Sequence, residues 1–320
     1  MNITVIGAGA FGSALASVWS HAGCNVTLYG RDTQRMAKMA ETCQVAALPN
    51  ATLPAEINFT AETNVALRSE VIALAIPAQT LRAFLSEHAQ SLGGKSLIAC
   101  CKGIDITTLQ GPLTNIQQFA PDATAAMLTG PSFAADIAAG LPTALTLACG
   151  DETQGIALQA LLSTQTLRLY RTTDTRGAEL GGALKNVLAI ACGIAMGAGL
   201  GDSARAALLA RGFSEMTTLG ARLDAKPETL AGLSGLGDLV LTCTSIQSRN
   251  FQHGFALGAG KAIDRHATVE GVATAKSVVA LSKSLALELP ICSTVAALVA
   301  ADIDTTQALE TLMQRPLKEE

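Results

Sequence analysis

The stretch Val5-Ile6-Gly7-Ala8-Gly9-Ala10-Phe11-Gly12 overlaps an apolar segment at residues 3–6 and contains the pattern G-x-G-x-x-G. In such a turn, Gly7 allows the chain to reverse, Gly9 lets backbone approach a pyrophosphate, and Gly12 lets the following helix pack against the strand. The free N–H groups and the dipole at that helix N-terminus favour a bound anion. The stretch therefore predicts a dinucleotide-binding turn between a strand and a helix; a purely structural turn is the alternative.

The composition indicates a globular protein with two domains. A chain of 320 residues is long for one core. Because 49% of the residues are hydrophobic but only 3% are aromatic, closely packed helices are favoured over a sandwich of bulky strands. The net charge of −4 provides no large positive field, so we expect no nucleic-acid partner, and any phosphate site must be local.

Several sequence features favour a cytoplasmic location. No basic segment followed by a long apolar core precedes the glycine turn, so we expect no signal peptide. The uncharged stretch at residues 186–201 is shorter than the roughly 20 residues that a spanning helix needs, and we expect no integral membrane association. The eight cysteines form no C-x-x-C pair and the four histidines have no metal-ligand spacing. We therefore expect reduced cysteines and no metal site.

The first half of the chain alternates apolar strand segments with helical segments. The predicted strands are residues 3–6, 25–30, 70–77, 96–100, 125–129, 143–149 and 167–170. Near-continuous apolar strands of this kind are typical of a parallel sheet covered on both faces. We expect a doubly wound, Rossmann-type α/β domain over residues 1–175. Its chemistry should gather where strands end, near Gly7, Arg31, Pro77, Lys102 and Ser132.

Strand signals disappear from about Thr172 onward, and long segments rich in Ala, Leu and Gly follow. Helical spacing predicts helices at residues 177–197, 202–222, 249–259, 271–287 and 294–313. The fold class is therefore α/β with a C-terminal all-α domain, which we assign to residues 176–320. A helical surface rich in Ala and Gly also favours a homodimer.

The end of the second strand bears on the choice of cofactor. Rossmann folds specific for NAD usually place an acidic residue there, whereas this chain has Gly30-Arg31-Asp32. Arg31 could bind a 2′-phosphate, which favours NADP(H) over NAD(H). A solvated Arg31, with Asp32 binding the ribose of NAD(H), is the alternative.

Lys185 is the strongest candidate for chemistry in the helical half. It lies in a segment, residues 180–188, that carries no other charge, and Gly181 lies one helical turn before it. Loss of solvent disfavours the ammonium form and brings the amine towards a pKa useful for exchanging a proton with a hydroxyl or carbonyl oxygen. Asn186 adds a neutral donor and acceptor. A lysine that extends along apolar surface to reach water is the alternative.

Two motifs further along the chain carry polar groups suited to a site. Asp238 follows a glycine-rich turn, and either caps the helix that begins there or pairs with Lys185. In Ser248-Arg249-Asn250, the arginine suits a phosphate and its neighbours can cap a helix; a solvated helix start is the alternative. Ser132 is a further candidate N-cap.

Seven motifs occur in a fixed order along nearly the whole chain: Gly7-Ala8-Gly9-Ala10-Phe11-Gly12, Cys101-Lys102-Gly103, Gly130-Pro131-Ser132-Phe133-Ala134, Leu184-Lys185-Asn186, Gly235-Leu236-Gly237-Asp238-Leu239, Gln247-Ser248-Arg249-Asn250 and Val269-Glu270-Gly271. In these motifs the chain resembles the NAD(P)-dependent glycerol-3-phosphate dehydrogenases, and its later motifs resemble the bacterial soluble form. The resemblance implies reversible reduction of dihydroxyacetone phosphate to sn-glycerol 3-phosphate, a precursor of glycerophospholipids.

The resemblance also implies roles for individual residues. Lys185 would protonate the C2 oxygen as the cofactor delivers hydride to C2, and would take the proton back in the reverse reaction. The positions that orient Lys185 or contact the substrate are Lys102, Asn186, Asp238 and Thr242. The substrate-phosphate pocket is matched by Gly130, Ser132, Ser248, Arg249 and Asn250, and the cofactor site by Phe11, Ser13, Arg31, Lys102, Ala134, Arg249 and Glu270.

Met196 departs from the family pattern, in which we expect Asp. On a continuous helix it lies about 16 Å along the axis from Lys185, outside direct proton transfer. We therefore expect Met196 to affect local polar packing or a subunit contact, and not the proton transfer itself.

Two other functions compete with this one. A β-hydroxyacid dehydrogenase also joins a Rossmann domain to helices, but its pattern sets Asn three residues after the lysine, where this chain has Leu188. A non-catalytic NADP(H) sensor would keep the glycine turn and lose the chemistry. Retention of Lys185, Asp238 and Arg249 together argues against the sensor.

Overall fold

A computed structural model of the chain describes residues 1–262 and 269–313. Strands and helices alternate over most of the chain up to Thr172, as the sequence predicts. The strands are β1 (Asn2–Ile6), β2 (Asn25–Tyr29), β3 (Gln44–Val45), β4 (Leu48–Thr52), β5 (Asn58–Thr60), β6 (Val71–Leu74), β7 (Ser96–Ala99), β8 (Thr124–Thr129), β9 (Thr143–Cys149) and β10 (Leu167–Thr172). The helices between them are α1 (Ala10–His21), α2 (Thr33–Thr42), α3 (Thr63–Ala66), α4 (Ala78–Leu92), α5 (Pro112–Phe119), α6 (Ala134–Ala138) and α7 (Glu152–Leu162).

Eight of these strands form one sheet in the order β10-β9-β8-β7-β6-β1-β2-β5. Successive side chains of a strand enter different apolar clusters. In β6, Val71 and Ala73 belong to the cluster that includes α1, whereas Ile72 and Leu74 belong to the cluster that includes α4. Because both faces of the sheet are covered, its strands are nearly continuously apolar. The short strands β3, β4 and β5 were not among the predicted ones.

Strand β9 corrects the prediction of a uniformly parallel sheet. It pairs antiparallel with β8, while β8 also pairs parallel with β7 and β9 pairs parallel with β10. The connection from β8 to β9 contains the short helix α6, which packs against α1. A parallel pairing would need a crossover that returns to the starting end of the sheet. Here the chain turns at the carboxyl end of β8 and runs back.

The order of the sheet reverses at β1, which lies between β6 and β2. The glycine turn follows β1 at this point. Gly7 has a φ of +116°, and a Cβ on it would collide with the carbonyl oxygen of Ala75; a Cβ on Gly12 would collide with the carbonyl oxygen of Gly7. Glycine is therefore required at both positions for α1 to begin so close to β1 and β6. This is the switch point at which such sheets bind ligands.

The rest of the described chain is helical. Its helices are α8 (Thr175–Gly197), α9 (Gly201–Arg222), α10 (Pro227–Ala231), α11 (Asp238–Thr244), α12 (Arg249–Gly258), α13 (Glu270–Ser284), α14 (Pro290–Val299) and α15 (Thr305–Met313), with a π-helical turn at Leu233–Gly237. The predicted helix at residues 294–313 is wrong, because the structure contains two helices there. Ala301 has a φ of +62°, and Asp304 and Gln307 form reciprocal side-chain to backbone hydrogen bonds that start α15.

Helix α8 is the centre of the helical half. It packs against α9, α11, α12, α13 and α14, and its residues from Gly177 to Ala195 are buried. By length and hydropathy α8 could cross a membrane, but 89% of its apolar window is buried inside the protein. Its apolar composition therefore matches a core helix. Met196, near its end, packs against this helical core, so apolar packing occupies the position where the family resemblance suggests Asp.

Helices α8 and α12 are in backbone contact. A Cβ on Gly193 of α8 would collide with the carbonyl oxygen of Phe251, and a Cβ on Gly254 of α12 would collide with that of Ile190. Small residues at these positions allow the two backbones to approach. This contact fixes the N-terminus of α12, and with it Arg249, beside the segment of α8 that carries Lys185.

We expect Gly254→Ala to move α12 away from α8. Overpacking of this kind costs about 1–3 kcal/mol of unfolding free energy, so the melting temperature should fall. Gly150→Ala is the matched control, because a Cβ there would meet nothing within 4 Å. Thermal unfolding followed by circular dichroism measures both variants. A Gly254 variant as stable as the Gly150 variant would contradict the close approach.

Candidate active site

Two lysines share one buried carboxylate between the sheet and the helices. Lys185 Nζ donates to Asp238 Oδ1 at 2.6 Å, and Lys102 Nζ donates to Asp238 Oδ2 at 2.6 Å. The side chains of Lys185 and Lys102 are 8% and 11% exposed, and that of Asp238 is fully buried. Thr242 Oγ1 accepts from Lys185 Nζ at 3.0 Å and donates to Asp238 Oδ1 at 3.2 Å. Each carboxylate oxygen therefore binds one lysine ammonium group, and the cluster is buried from solvent.

Three separate elements supply this cluster. Lys102 follows β7, Lys185 lies in the middle of α8, and Asp238 is the first residue of α11. A Cβ on Gly181 would collide with the carbonyl oxygen of Ser234 in the π-helical turn. Glycine one turn before Lys185 thus lets the π-helical turn lie on α8. That turn delivers Asp238 to the amine, and the carboxylate binds the lysines instead of capping α11, whose N-cap position is Gly237.

Burial and neighbouring charges set the ionisation of this cluster. Burial lowers the pKa of Lys185 to about 8; Asp238 opposes this shift and Lys102 adds to it. Burial by itself would raise the pKa of Asp238, but the two ammonium groups outweigh it and the pKa is lowered. Asp238 therefore stays ionised, while Lys185 can exchange a proton near neutral pH.

Ser248, Arg249 and Asn250 lie at the N-terminus of α12. Ser248 Oγ accepts from the Phe251 N–H at 3.2 Å, so Ser248 is the N-cap that the sequence allows. The charge of Arg249 acts on Glu270, the first residue of α13. Burial raises the pKa of Glu270, and Arg249, Lys102 and Lys185 oppose that shift. Hydrogen bonds from Gly271 to Asn250 and from Asn250 to Asn186 bring the N-termini of α13 and α12 to the segment of α8 that carries Lys185.

Gly130 and Ser132 adjoin the lysine cluster at the end of β8. Lys102 Nζ and Ser132 Oγ each donate to the Gly130 carbonyl oxygen at 3.3 Å. Ser132 is not the predicted helix cap: α6 begins at Ala134, and its N-cap position is Phe133. The hydroxyl of Ser132 bonds backwards along the chain and so holds the turn around Gly130, whose φ is +134°.

The glycine turn fits a dinucleotide. A Cβ on Gly9 would meet no protein atom within 4 Å, so the space beside this turn is open. Ser13 Oγ, in the first turn of α1, is buried and has no partner among the described residues. Phe11 packs against the sheet core beside α1, as does Ala134 of α6. An open cradle with a free helix N-terminus and an unpaired hydroxyl suits a diphosphate.

One arginine that was not among the predicted site residues reaches the glycine turn from α2. Arg31 is exposed after β2. Asp32 caps α2 by accepting from the Arg35 N–H at 3.0 Å, and Arg35 Nη2 donates to the Ala8 carbonyl oxygen at 2.6 Å in the glycine turn. The Arg35 side chain therefore connects α2 to the glycine turn. Its position in the first turn of the helix after β2 is the signal that could have identified it.

Within residues 1–262 and 269–313, no cluster of three or more His, Cys, Asp or Glu side chains is arranged to hold a metal. The eight cysteines are free thiols. Burial raises the pKa of Cys100 to about 12, with Lys102 opposing. A buried thiol of this kind is unreactive, so Cys100 packs as a small apolar side chain.

Comparison with known families covers both halves of the chain. The profile described as NAD-dependent glycerol-3-phosphate dehydrogenase N-terminus matches residues 2–155, and the corresponding C-terminus profile matches residues 174–310. The two matches together span most of the sequence.

Individual relatives agree. A glycerol-3-phosphate dehydrogenase, NAD(P)+, from Paracoccus denitrificans is 54% identical over 320 residues and covers 100% of both chains. One with the same name from a Ruegeria species is 52% identical over 321 residues, again with 100% of both chains covered. The crystal structure of glycerol-3-phosphate dehydrogenase from Coxiella burnetii superposes with a TM-score of 0.93 at 33% identity, covering 98% of this chain and 99% of that one.

We expect Asp238→Asn to lower the pKa of Lys185 below its value of about 8, because the carboxylate is what raises this pKa against burial. The substitution also leaves two buried ammonium groups without their counter-ion, a change that typically costs about 3–5 kcal/mol of unfolding free energy. NMR titration of ¹⁵N-labelled lysine side chains and urea unfolding measure the two effects.

Asp202→Asn is the matched control for this experiment. Asp202 pairs with Arg205 at 2.8 Å, but its side chain is 78% exposed. A surface pair of this kind contributes about 1 kcal/mol or less. An unchanged Lys185 pKa in Asp238→Asn would show that the carboxylate does not control the amine.

Proposed function

The chain belongs to the NAD-dependent glycerol-3-phosphate dehydrogenase family, and we propose that it reversibly reduces dihydroxyacetone phosphate to sn-glycerol 3-phosphate, with Lys185 as proton donor and acceptor. Family membership identifies the chain as an NAD(P)-dependent oxidoreductase. It argues against both competing functions, the β-hydroxyacid dehydrogenase and the NADP(H) sensor. The observation that carries the proposed mechanism is the buried cluster in which Asp238 holds Lys185 and Lys102.

In this mechanism a bound nicotinamide supplies the hydride for C2 of the substrate. Lys185 donates its proton to the C2 oxygen as negative charge develops there, and takes the hydroxyl proton in the reverse direction. Asp238 remains ionised and, with Thr242, keeps the Lys185 Nζ in place. Lys102 shares Asp238 and adds positive charge beside the reacting oxygen, which stabilises the transition state more than the ground state.

We propose that the substrate phosphate binds at the N-terminus of α12. Arg249 provides a charged, bidentate donor, while Ser248 and Asn250 lie beside it at the helix start. Gly130, Ser132 and Lys102 line the opposite side, where Ser132 and Lys102 hold the Gly130 carbonyl oxygen. A phosphate at this end would leave C2, the middle carbon of the substrate, for Lys185.

For the cofactor we propose the glycine turn as the diphosphate site, with Gly7, Gly9 and Gly12 shaping the turn. The other proposed cofactor residues are Phe11, Ser13, Arg31, Lys102, Ala134, Arg249 and Glu270. The relatives are named for NAD(P)+, so both NADP(H) and NAD(H) are cofactors of the family. Arg31, together with Arg35 at the edge of the glycine turn, favours NADP(H).

We further propose that residues 1–175 form the dinucleotide-binding domain and residues 176–320 the domain that supplies the catalytic lysine. The small-residue surface of the helical half favours a homodimer, which sedimentation velocity would detect. A cytoplasmic enzyme of this kind would feed glycerophospholipid synthesis, since its product is the backbone of those lipids.

The primary test is oxidation of NADPH, followed by absorbance, when dihydroxyacetone phosphate is added. We expect turnover by the wild-type protein and its loss in Lys185→Ala, because no other group transfers a proton to the C2 oxygen in the proposed mechanism. Cofactor binding, measured by NADPH fluorescence, should persist in the variant. Absence of turnover by the wild-type protein with both NADPH and NADH would contradict the proposed reaction.

The pH dependence of the same assay identifies the proton donor. Reduction needs the ammonium form of Lys185, whose pKa is about 8. Reduction should therefore be fastest below that pH and slow as the pH rises through it, whereas oxidation of sn-glycerol 3-phosphate should accelerate over the same interval. If the two profiles do not diverge around this pH, a group other than Lys185 transfers the proton.

Arg31→Ala and Arg35→Ala test the choice of cofactor. Each should raise KM for NADPH about tenfold or more, since a hydrogen bond to a charged group contributes about 1.5–3 kcal/mol. KM for NADH, which lacks the 2′-phosphate, should change little in Arg31→Ala. In Arg35→Ala it should rise less than KM for NADPH, since this variant also loses the hydrogen bond to Ala8 in the turn that both cofactors would use. Lys38→Ala, an exposed cation further along α2, is the control. Equal increases for both cofactors would place the two arginines elsewhere than at a 2′-phosphate.

A further inference from the structure

A chain of three hydrogen-bonding groups connects α13, α12 and α8 beside Lys185. The Gly271 N–H donates to Asn250 Oδ1 at 2.9 Å, and Asn250 Nδ2 donates to Asn186 Oδ1 at 2.8 Å. Gly271 is the second residue of α13, where a backbone N–H has no partner within its own helix. A Cβ on Gly271 would lie 2.6 Å from the Asn186 carbonyl oxygen and 2.8 Å from Asn250 Oδ1. Glycine is what permits this close approach.

The direction of these hydrogen bonds follows from the first group alone. A backbone N–H can only donate, so Asn250 must turn its carbonyl oxygen towards Gly271. Its amide nitrogen then faces Asn186, which must offer its own carbonyl oxygen in return. The orientation of both amides is therefore dictated by the N-terminus of α13, with no freedom to exchange oxygen and nitrogen.

These hydrogen bonds leave the side-chain nitrogen of Asn186 without a partner in the described part of the chain. Asn186 Nδ2 is buried and has no partner among the described residues, and Asn186 as a whole is 3% exposed. A buried donor without a partner is costly, and native proteins rarely keep one without a use for it. Asn186 Oδ1 accepts from Asn250, the neighbour of Arg249 at the start of α12, so this donor lies beside the space proposed for the substrate.

We propose that Asn250 is a positioning residue, which fixes the Asn186 amide so that Asn186 presents a donor, and not an acceptor, to the C2 oxygen of the substrate. This inference rests on the proposed function, since it assumes that the C2 oxygen lies beside Lys185. A neutral donor there stabilises the charge that develops during reduction. The family resemblance groups Asn250 with the phosphate ligands. Its Oδ1 and one side-chain N–H already form hydrogen bonds, which leaves one N–H for an anion.

The variant Asn250→Asp isolates the polarity of the amide. Aspartate has nearly the same shape and can accept from the Gly271 N–H, but its carboxylate cannot donate to Asn186. Asn186 must then turn its nitrogen towards residue 250 and its oxygen towards the substrate. Asn250→Ala removes the support without imposing the reversed orientation, so Asn250→Asp should lower kcat more than Asn250→Ala does.

The test is a double-mutant cycle in the full chain, combining each Asn250 variant with Asn186→Ala. Turnover is measured on dihydroxyacetone phosphate and on unphosphorylated dihydroxyacetone, because the second substrate removes any contact between Asn250 and phosphate. On both substrates, Asn186→Ala should lower kcat about 100-fold, as expected for loss of one donor to a developing oxyanion. In the Asn186→Ala background the Asn250 substitutions should then change kcat on dihydroxyacetone less than about twofold.

Arg249→Ala provides the comparison for a phosphate ligand. Its loss of kcat/KM should be much larger on dihydroxyacetone phosphate than on dihydroxyacetone, whereas Asn250→Ala should affect kcat on both. Additive losses in the cycle, or a loss in Asn250→Ala confined to the phosphorylated substrate, would overturn the inference. Retained NADPH binding and cooperative thermal unfolding verify the fold of each variant. Turnover by Lys185→Ala would instead remove the proposed function itself.

Discussion

The Asp238 carboxylate is the group on which the arrangement of the site depends. It binds one lysine that follows a strand of the sheet and another in the central helix, each at 2.6 Å. Two cations and one anion leave the buried cluster with a net positive charge, which suits an oxygen that becomes negative. Because removal of one partner from a buried ion cluster leaves the others uncompensated, the same contact that prepares the chemistry also joins the two halves of the chain.

Close backbone approach is the second constraint, and it explains why glycine recurs around the site. Gly181 lets the π-helical turn lie on α8, Gly254 lets α12 do the same, and Gly271 lets α13 reach Asn186. Each approach delivers a functional group: Asp238, the phosphate motif and the backbone donor of α13. Precision of this kind depends on rigid helices in contact rather than on mobile loops. Larger side chains at the three glycines would separate groups that must act together.

The sequence predicted the parts of the site that carry a local signal. Lys185 was identifiable because it is a charge in an apolar helix, and the cofactor turn because its glycines follow a strand. The direction of β9 was not predictable, since an apolar strand has the same composition in either orientation. The orientation of the Asn186 amide also lay beyond the sequence, because it depends on Gly271, 85 positions later in the chain, through a hydrogen bond of Asn250. Arg35 was overlooked although its helix was expected.

The burial of α8 has a consequence for how the protein is made. The helix has the length and hydropathy of a membrane span, and its cover includes α12, which begins only at Arg249. A ribosome therefore completes α8 and then adds residues 198–248 before the first residue of α12 exists. During that interval an apolar helix lacks part of its cover, the condition in which nascent chains associate with chaperones or with each other. The central position that protects Lys185 in the finished protein is thus its most vulnerable position during synthesis.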